Sequence, residues 1–85
     1  MDNKRAIHFT PHAKEKLKRL TKIGVTEEKV IKTVRNPDKL SPGHFGRKIA
    51  QSTLSPELVL RVIYEEMNNK VLIITMYPSE RGRYK

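Results

Sequence analysis

The hydrophobic period of this chain changes once, and that change constrains the fold more than any other feature. Up to Asn36 the apolar residues recur at helical spacing, and beyond Leu40 they alternate or run together as in strands. Helices first and strands afterwards predict an α+β domain, with helices covering one face of an antiparallel sheet. With 85 residues there is room for one domain, spanning 1–85. A chain of this size buries only roughly 60–65% of the surface it exposes when unfolded, so the core must be small.

Local signals place the elements. Ile7-His8-Phe9 is short and β-prone and reads as a first edge strand. Thr10-Pro11 is a helix start, because threonine caps orphan amides and proline is tolerated at the first helical position. Ala13, Leu17 and Leu20 then form a narrow apolar stripe. Gly24 is suited to a left-handed helix end. Thr26 caps a second helix that carries Glu27 and Glu28 where the helix dipole favours anions, and Val30, Ile31 and Val34 form its buried face. Asn36-Pro37 ends it, since the residue before proline is pushed out of the α region. The expectation is an N-terminal two-helix hairpin.

Pro42-Gly43-His44-Phe45-Gly46 reads as a loop, and Arg47 to Thr53, Leu58 to Glu65 and Lys70 to Tyr77 read as strands. Short connections make three or four antiparallel strands. With a period of two, one face of the second long strand carries Leu58, Leu60, Val62 and Tyr64, and the other carries Val59, Arg61 and Ile63. In the last strand the same reading puts Leu72, Ile74 and Met76 towards the core, with Val71, Ile73, Thr75 and Tyr77 opposite. The sheet face away from the helices is free to carry a site, and Arg61 is the only charge in its run.

Composition narrows the chemistry. Lys and Arg number 18 against 9 Asp and Glu, a formal charge of +9, and charged residues make up 32% of the chain against an average of about 25%. Such a field favours a polyanion, with RNA the leading expectation and an acidic protein segment the alternative. The absence of cysteine excludes a disulfide framework, a Cys-based zinc site and a thiolate nucleophile. Three histidines without Asp or Glu at ligand spacing predict no metal site, and no Walker-type loop or other cofactor signature is present. The polar start Met1-Asp2-Asn3-Lys4-Arg5-Ala6 leads into no apolar segment, and the longest apolar runs are about four residues where a membrane span needs roughly 20. The expectation is a cytoplasmic protein with no membrane partner.

The chain resembles a known family in specific places. Ile23-Gly24-Val25-Thr26-Glu27-Glu28-Lys29-Val30 is similar to the start of the second helix in BrnT-type toxins, and Glu80-Arg81-Gly82-Arg83-Tyr84 is similar to their Glu-Arg-Arg-x-Tyr ending. The order of helices, Asn36-Pro37-Asp38, glycine loop and strand meander resembles the wider RelE/ParE toxin superfamily over about His8 to Tyr84. Thr75-Met76-Tyr77-Pro78-Ser79 departs from the arginine-rich stretch of BrnT-like chains. The resemblance implies a RelE-like fold, a cognate antitoxin as partner, and activity as a toxin that cuts mRNA, on or off the ribosome, without a metal.

Metal-free RNA cleavage requires a proton acceptor for the 2′-hydroxyl, cations for the phosphorane and a proton donor for the leaving 5′-oxygen. For this chemistry Arg61, Arg81 and Arg83 are candidate phosphoryl clamps, since guanidinium matches phosphate bidentately. His44 is the candidate acid or base, with His8 and His12 ranked below it. Tyr84 is a candidate stacking platform or proton donor. Arg47, Lys48 and Lys85 are the candidate backbone-tracking cations. The alternatives are a non-catalytic RNA-binding domain of the same fold and a basic protein-interaction module.

Overall fold

A computed structural model describes residues 6–83 of the chain. Elements follow in the order β1 (Ala6–Phe9), α1 (Pro11–Leu20), α2 (Glu27–Arg35), β2 (Lys39–Pro42), β3 (Lys48–Thr53), β4 (Leu58–Met67) and β5 (Lys70–Glu80), with short 3-10 turns after α1, before β3 and after β5. Among the described residues, no helix is long and apolar enough to cross a membrane.

The local signals act as chemistry requires. The Thr10 hydroxyl accepts from the Ala13 amide at 3.0 Å and Pro11 opens α1. The Thr26 hydroxyl accepts from the Lys29 amide at 3.1 Å to start α2. Gly24 takes φ +93° to close the 3-10 turn Thr21–Ile23 that links the helices, a conformation costly for any residue with a Cβ. Asn36 leaves helical geometry before Pro37.

The sheet has five strands in the order β1-β5-β4-β3-β2. This corrects the expectation of a three- or four-stranded antiparallel sheet. Four strands are antiparallel, but β1 runs parallel to β5, from Ala6 opposite Lys70 to Phe9 opposite Ile73. A parallel pair needs a long crossover, and here the two helices and the entire meander lie between the partners. The helix pair is also not N-terminal, because β1 precedes it. Nor does it act as a self-packed hairpin, since α1 rests on β5 while α2 rests on β3 and β4.

The core lies between helices and sheet: Ala13, Val25, Val30 and Val34 from the helical side meet Ala50, Leu60, Val62, Tyr64, Val71, Ile73 and Met76. Burying a side chain such as Leu60, Ile73 or Met76 contributes about 1.5–3 kcal/mol. The seam holds one buried polar pair. Thr33 Oγ1 donates to the Lys29 carbonyl at 2.7 Å and meets Ser52 Oγ at 2.7 Å, which satisfies both hydroxyls away from water.

The faces of β4 match the alternation read from its sequence, but those of β5 do not. Ile63 pairs with Thr75 while its neighbour Tyr64 pairs with Ile73, so Ile74 is an extra residue, a β-bulge. The bulge shifts the parity of the strand, and Val71, Ile73 and Met76 face the core instead of Leu72, Ile74 and Met76. The carbonyl of Ile74 accepts from Thr10 Oγ1 at 3.2 Å and that of Ile73 from the Thr10 amide at 3.1 Å. Thr10 therefore both caps α1 and fastens it to the bulge.

Candidate functional site

The bulge turns Thr75 and Tyr77 onto the open face of the sheet, on the side of Arg61. Tyr77 lies directly opposite Arg61 on β4, and Arg61 opposite Gln51 on β3. Arg61 is only 7% exposed. Its Nε donates to Tyr77 Oη at 3.0 Å and its Nη1 to Gln51 Oε1 at 2.7 Å. A buried guanidinium is tolerated only when its donors are matched in this way. The resulting fork is fixed in place rather than snorkelling.

Helix α1 occupies the flank of β5 beyond the end of β1, and its first turns lean over this edge. His12 Nε2 and Thr75 Oγ1 are 3.3 Å apart, and Lys16 Nζ sits 5.7 Å from the Tyr77 ring centroid. His12 and Lys16 share a helix face at i and i+4, as Thr75 and Tyr77 share a strand face at i and i+2. An imidazole, an ammonium, a phenol and a buried guanidinium thus line one edge of an open sheet face. Half-buried Ile49, Ile63 and Leu72 continue that face as its apolar floor.

The residues singled out from sequence fall in separate places. Arg61 is at the centre of this cluster. Arg81 joins the same face from the far side: its Nη2 donates to Thr53 Oγ1 at 3.1 Å and to the Ser55 carbonyl at 3.2 Å, and its Nε to the Pro56 carbonyl at 3.1 Å. It fastens the β3–β4 turn. Thr53 and Gln51 are two residues apart on β3, so the points that hold the two guanidiniums are about 7 Å apart. His44 is exposed in the β2–β3 loop, at the other end of β3 from Thr53, a strand length of about 17 Å. Arg47 Nε donates to Glu65 Oε2 at 3.0 Å, and Lys48 Nζ pairs with Glu66 Oε1, so both cations are engaged by carboxylates of β4. Tyr84, Lys85 and the side chain of Arg83 lie outside the described residues.

Sequence reasoning ranked His12 low and did not connect Thr75 or Tyr77 with Arg61. The available signal was the pair of polar residues two apart within an otherwise apolar strand. Among the described residues, no group of three His, Asp or Glu side chains converges as metal ligands do. No family model, curated protein or solved structure matches the chain.

The arrangement offers a guanidinium held in a fixed orientation, an imidazole, and a cation stacked on a phenol. Such a set fits a phosphodiester: arginine matches the non-bridging oxygens and imidazole moves protons. The bulge beside it is the kind of irregularity that re-aims side chains at functional sites.

Proposed function

We propose that the protein is a metal-independent endoribonuclease that acts on single-stranded RNA, with mRNA as its substrate, and that it is the toxin of a toxin–antitoxin pair. The observation that carries the nuclease reading is the buried Arg61 fork aligned with Tyr77, Lys16 and His12 along one edge of the sheet. Arg61 supplies charge to the phosphorane, the term that usually dominates such catalysis. His12 accepts the 2′-hydroxyl proton, the 2′-oxygen attacks phosphorus, and the 5′-oxygen departs with a proton from the Tyr77 phenol or the Lys16 ammonium. The products are a 2′,3′-cyclic phosphate and a 5′-hydroxyl. The toxin setting and the antitoxin partner rest on the sequence resemblance.

The test is single-turnover cutting of an end-labelled RNA, with the termini identified chemically. Wild-type protein yields cyclic phosphate ends, a substrate with one 2′-deoxy position is bound but uncut there, and Arg61→Lys lowers the rate by about 10²-fold or more, as loss of a preorganised donor does. His12→Gln flattens one limb of the pH–rate profile. RNA that is bound but never cut refutes the nuclease reading and leaves a non-catalytic RNA-binding domain. That second reading draws on the +9 charge alone. Growth arrest on expression without a partner tests the toxin setting separately.

A further inference from the structure

At the tip of the β2–β3 hairpin, Phe45 is 91% exposed and takes φ +58°, ψ +37°. A bulky residue in the left-handed region is a genuine outlier, and a fully exposed phenylalanine gains nothing from burial to offset the strain. The turn around it is nonetheless well built. Gly46 follows with φ +76°, the Arg47 amide donates to the His44 carbonyl at 3.1 Å, and the Gly43 amide donates to the Arg47 carbonyl at 2.8 Å. A Cβ on Gly43 would stand 3.3 Å from that carbonyl oxygen, so glycine lets the loop close. Two successive residues with positive φ form the arrangement of a type I′ turn, whose first central position suits asparagine, aspartate or glycine. Phenylalanine is a poor residue for folding at this position and is displayed by it.

We infer that Phe45 is a stacking platform for a base of single-stranded RNA. The ring is flanked by the His44 imidazole, tilted with centroids 6.3 Å apart, and by Gly46 and Arg47, on a chain whose net charge of +9 favours a polyanion. An exposed ring on a protein of net positive charge is what sequence-tolerant base stacking uses. Arg47 stands just before β3, four residues from Gln51, the partner of Arg61, a path of about 13 Å, which about four stacked nucleotides cover. Phe45 would thus hold the strand at a fixed distance from the Arg61 fork. The inference rests on the RNA reading but not on cleavage.

The experiment measures affinity for a 12-nucleotide single-stranded RNA by anisotropy, and melting temperature, for wild type, Phe45→Ala, Phe45→Asn and Phe45→Trp. Loss of one stacked base predicts affinity about 5- to 150-fold weaker for Phe45→Ala and Phe45→Asn, with an unchanged salt slope because no charge is lost. Phe45→Trp keeps affinity, and its indole emission is quenched by RNA. Phe45→Asn melts about 5 °C higher, since asparagine accepts the left-handed turn. A ring that served structure would instead lower the melting temperature, and that result overturns the inference. So does unaltered affinity in Phe45→Ala while wild type binds RNA. Absence of RNA binding by wild type overturns this inference together with the proposed function.

Discussion

Tyr77→Phe removes one oxygen and keeps the ring, so it isolates the bond that holds the Arg61 fork. Arg61 Nε donates to that oxygen at 3.0 Å, and with the arginine only 7% exposed water has little room to replace it. A hydrogen bond to a charged group contributes about 1.5–3 kcal/mol. Tyr77 is itself only half-buried, so the low end applies, about 1.5 kcal/mol. Unfolding entropy scales as about 2.1 cal/mol/K per residue, which for this chain gives about 0.18 kcal/mol/K and hence a fall in Tm of about 8 °C. Thermal unfolding followed by circular dichroism at 222 nm measures it. The cation–π contact with Lys16 survives in the variant, so the whole shift belongs to the phenol oxygen. Arg61→Met alone and combined with Tyr77→Phe completes a double-mutant cycle, in which the second substitution adds little once the guanidinium is gone. A Tm for Tyr77→Phe within about 2 °C of wild type, or full additivity in the cycle, refutes the placement of Arg61 against Tyr77.

Thr33→Val removes the hydroxyl between the Lys29 carbonyl and Ser52 Oγ, and the urea midpoint should fall by the equivalent of about 1–2 kcal/mol with an unchanged m-value. A further Ser52→Ala should recover part of that loss, because it removes the orphaned hydroxyl. Arg81→Ala frees the β3–β4 turn and should cost about 1–2 kcal/mol by the same assay, whereas a large loss of RNA cutting at unchanged stability would mark Arg81 as catalytic. RNA affinity should fall on a log–log plot against salt, by about 0.7 per phosphate contact, and Lys16→Gln should reduce that slope by about one contact. A flat salt response would refute phosphate contacts altogether.

The features legible in the sequence are those decided within a few residues. Thr10-Pro11, Gly24, Thr26 and Asn36-Pro37 mark helix ends because capping bonds span three residues and proline acts on its neighbour. The β4–β5 hairpin was legible for the same reason, since Asn68-Asn69 between the two strands tolerates a tight turn. The parallel β1–β5 pair joins the two ends of the described chain, and no local pattern announces it. Period-two alternation fails at Ile74 because a single inserted residue inverts the parity of everything after it. Arg61 was conspicuous as a lone charge and the alternation already put Thr75 and Tyr77 on the non-core face, but the pairing of Arg61 with Tyr77 and Gln51 follows from strand register and the His12–Thr75 contact from where α1 crosses β5.

The contact between His12 and Thr75 joins residues 63 positions apart, which sets when the cluster comes into being. At a synthesis rate of about 5–20 residues per second, roughly 3–13 s separate the emergence of the helix from that of the strand it meets. Throughout that interval α1 has no sheet edge to lean on, Arg61 has no phenol opposite it, and the apolar stripe of the helix stays wet. A nascent chain halted before β5 therefore holds every basic residue of the first four strands without the geometry that organises them. The Arg61–Tyr77 and His12–Thr75 contacts both need β5, so the cluster forms in one step with that strand rather than by gradual accumulation of structure.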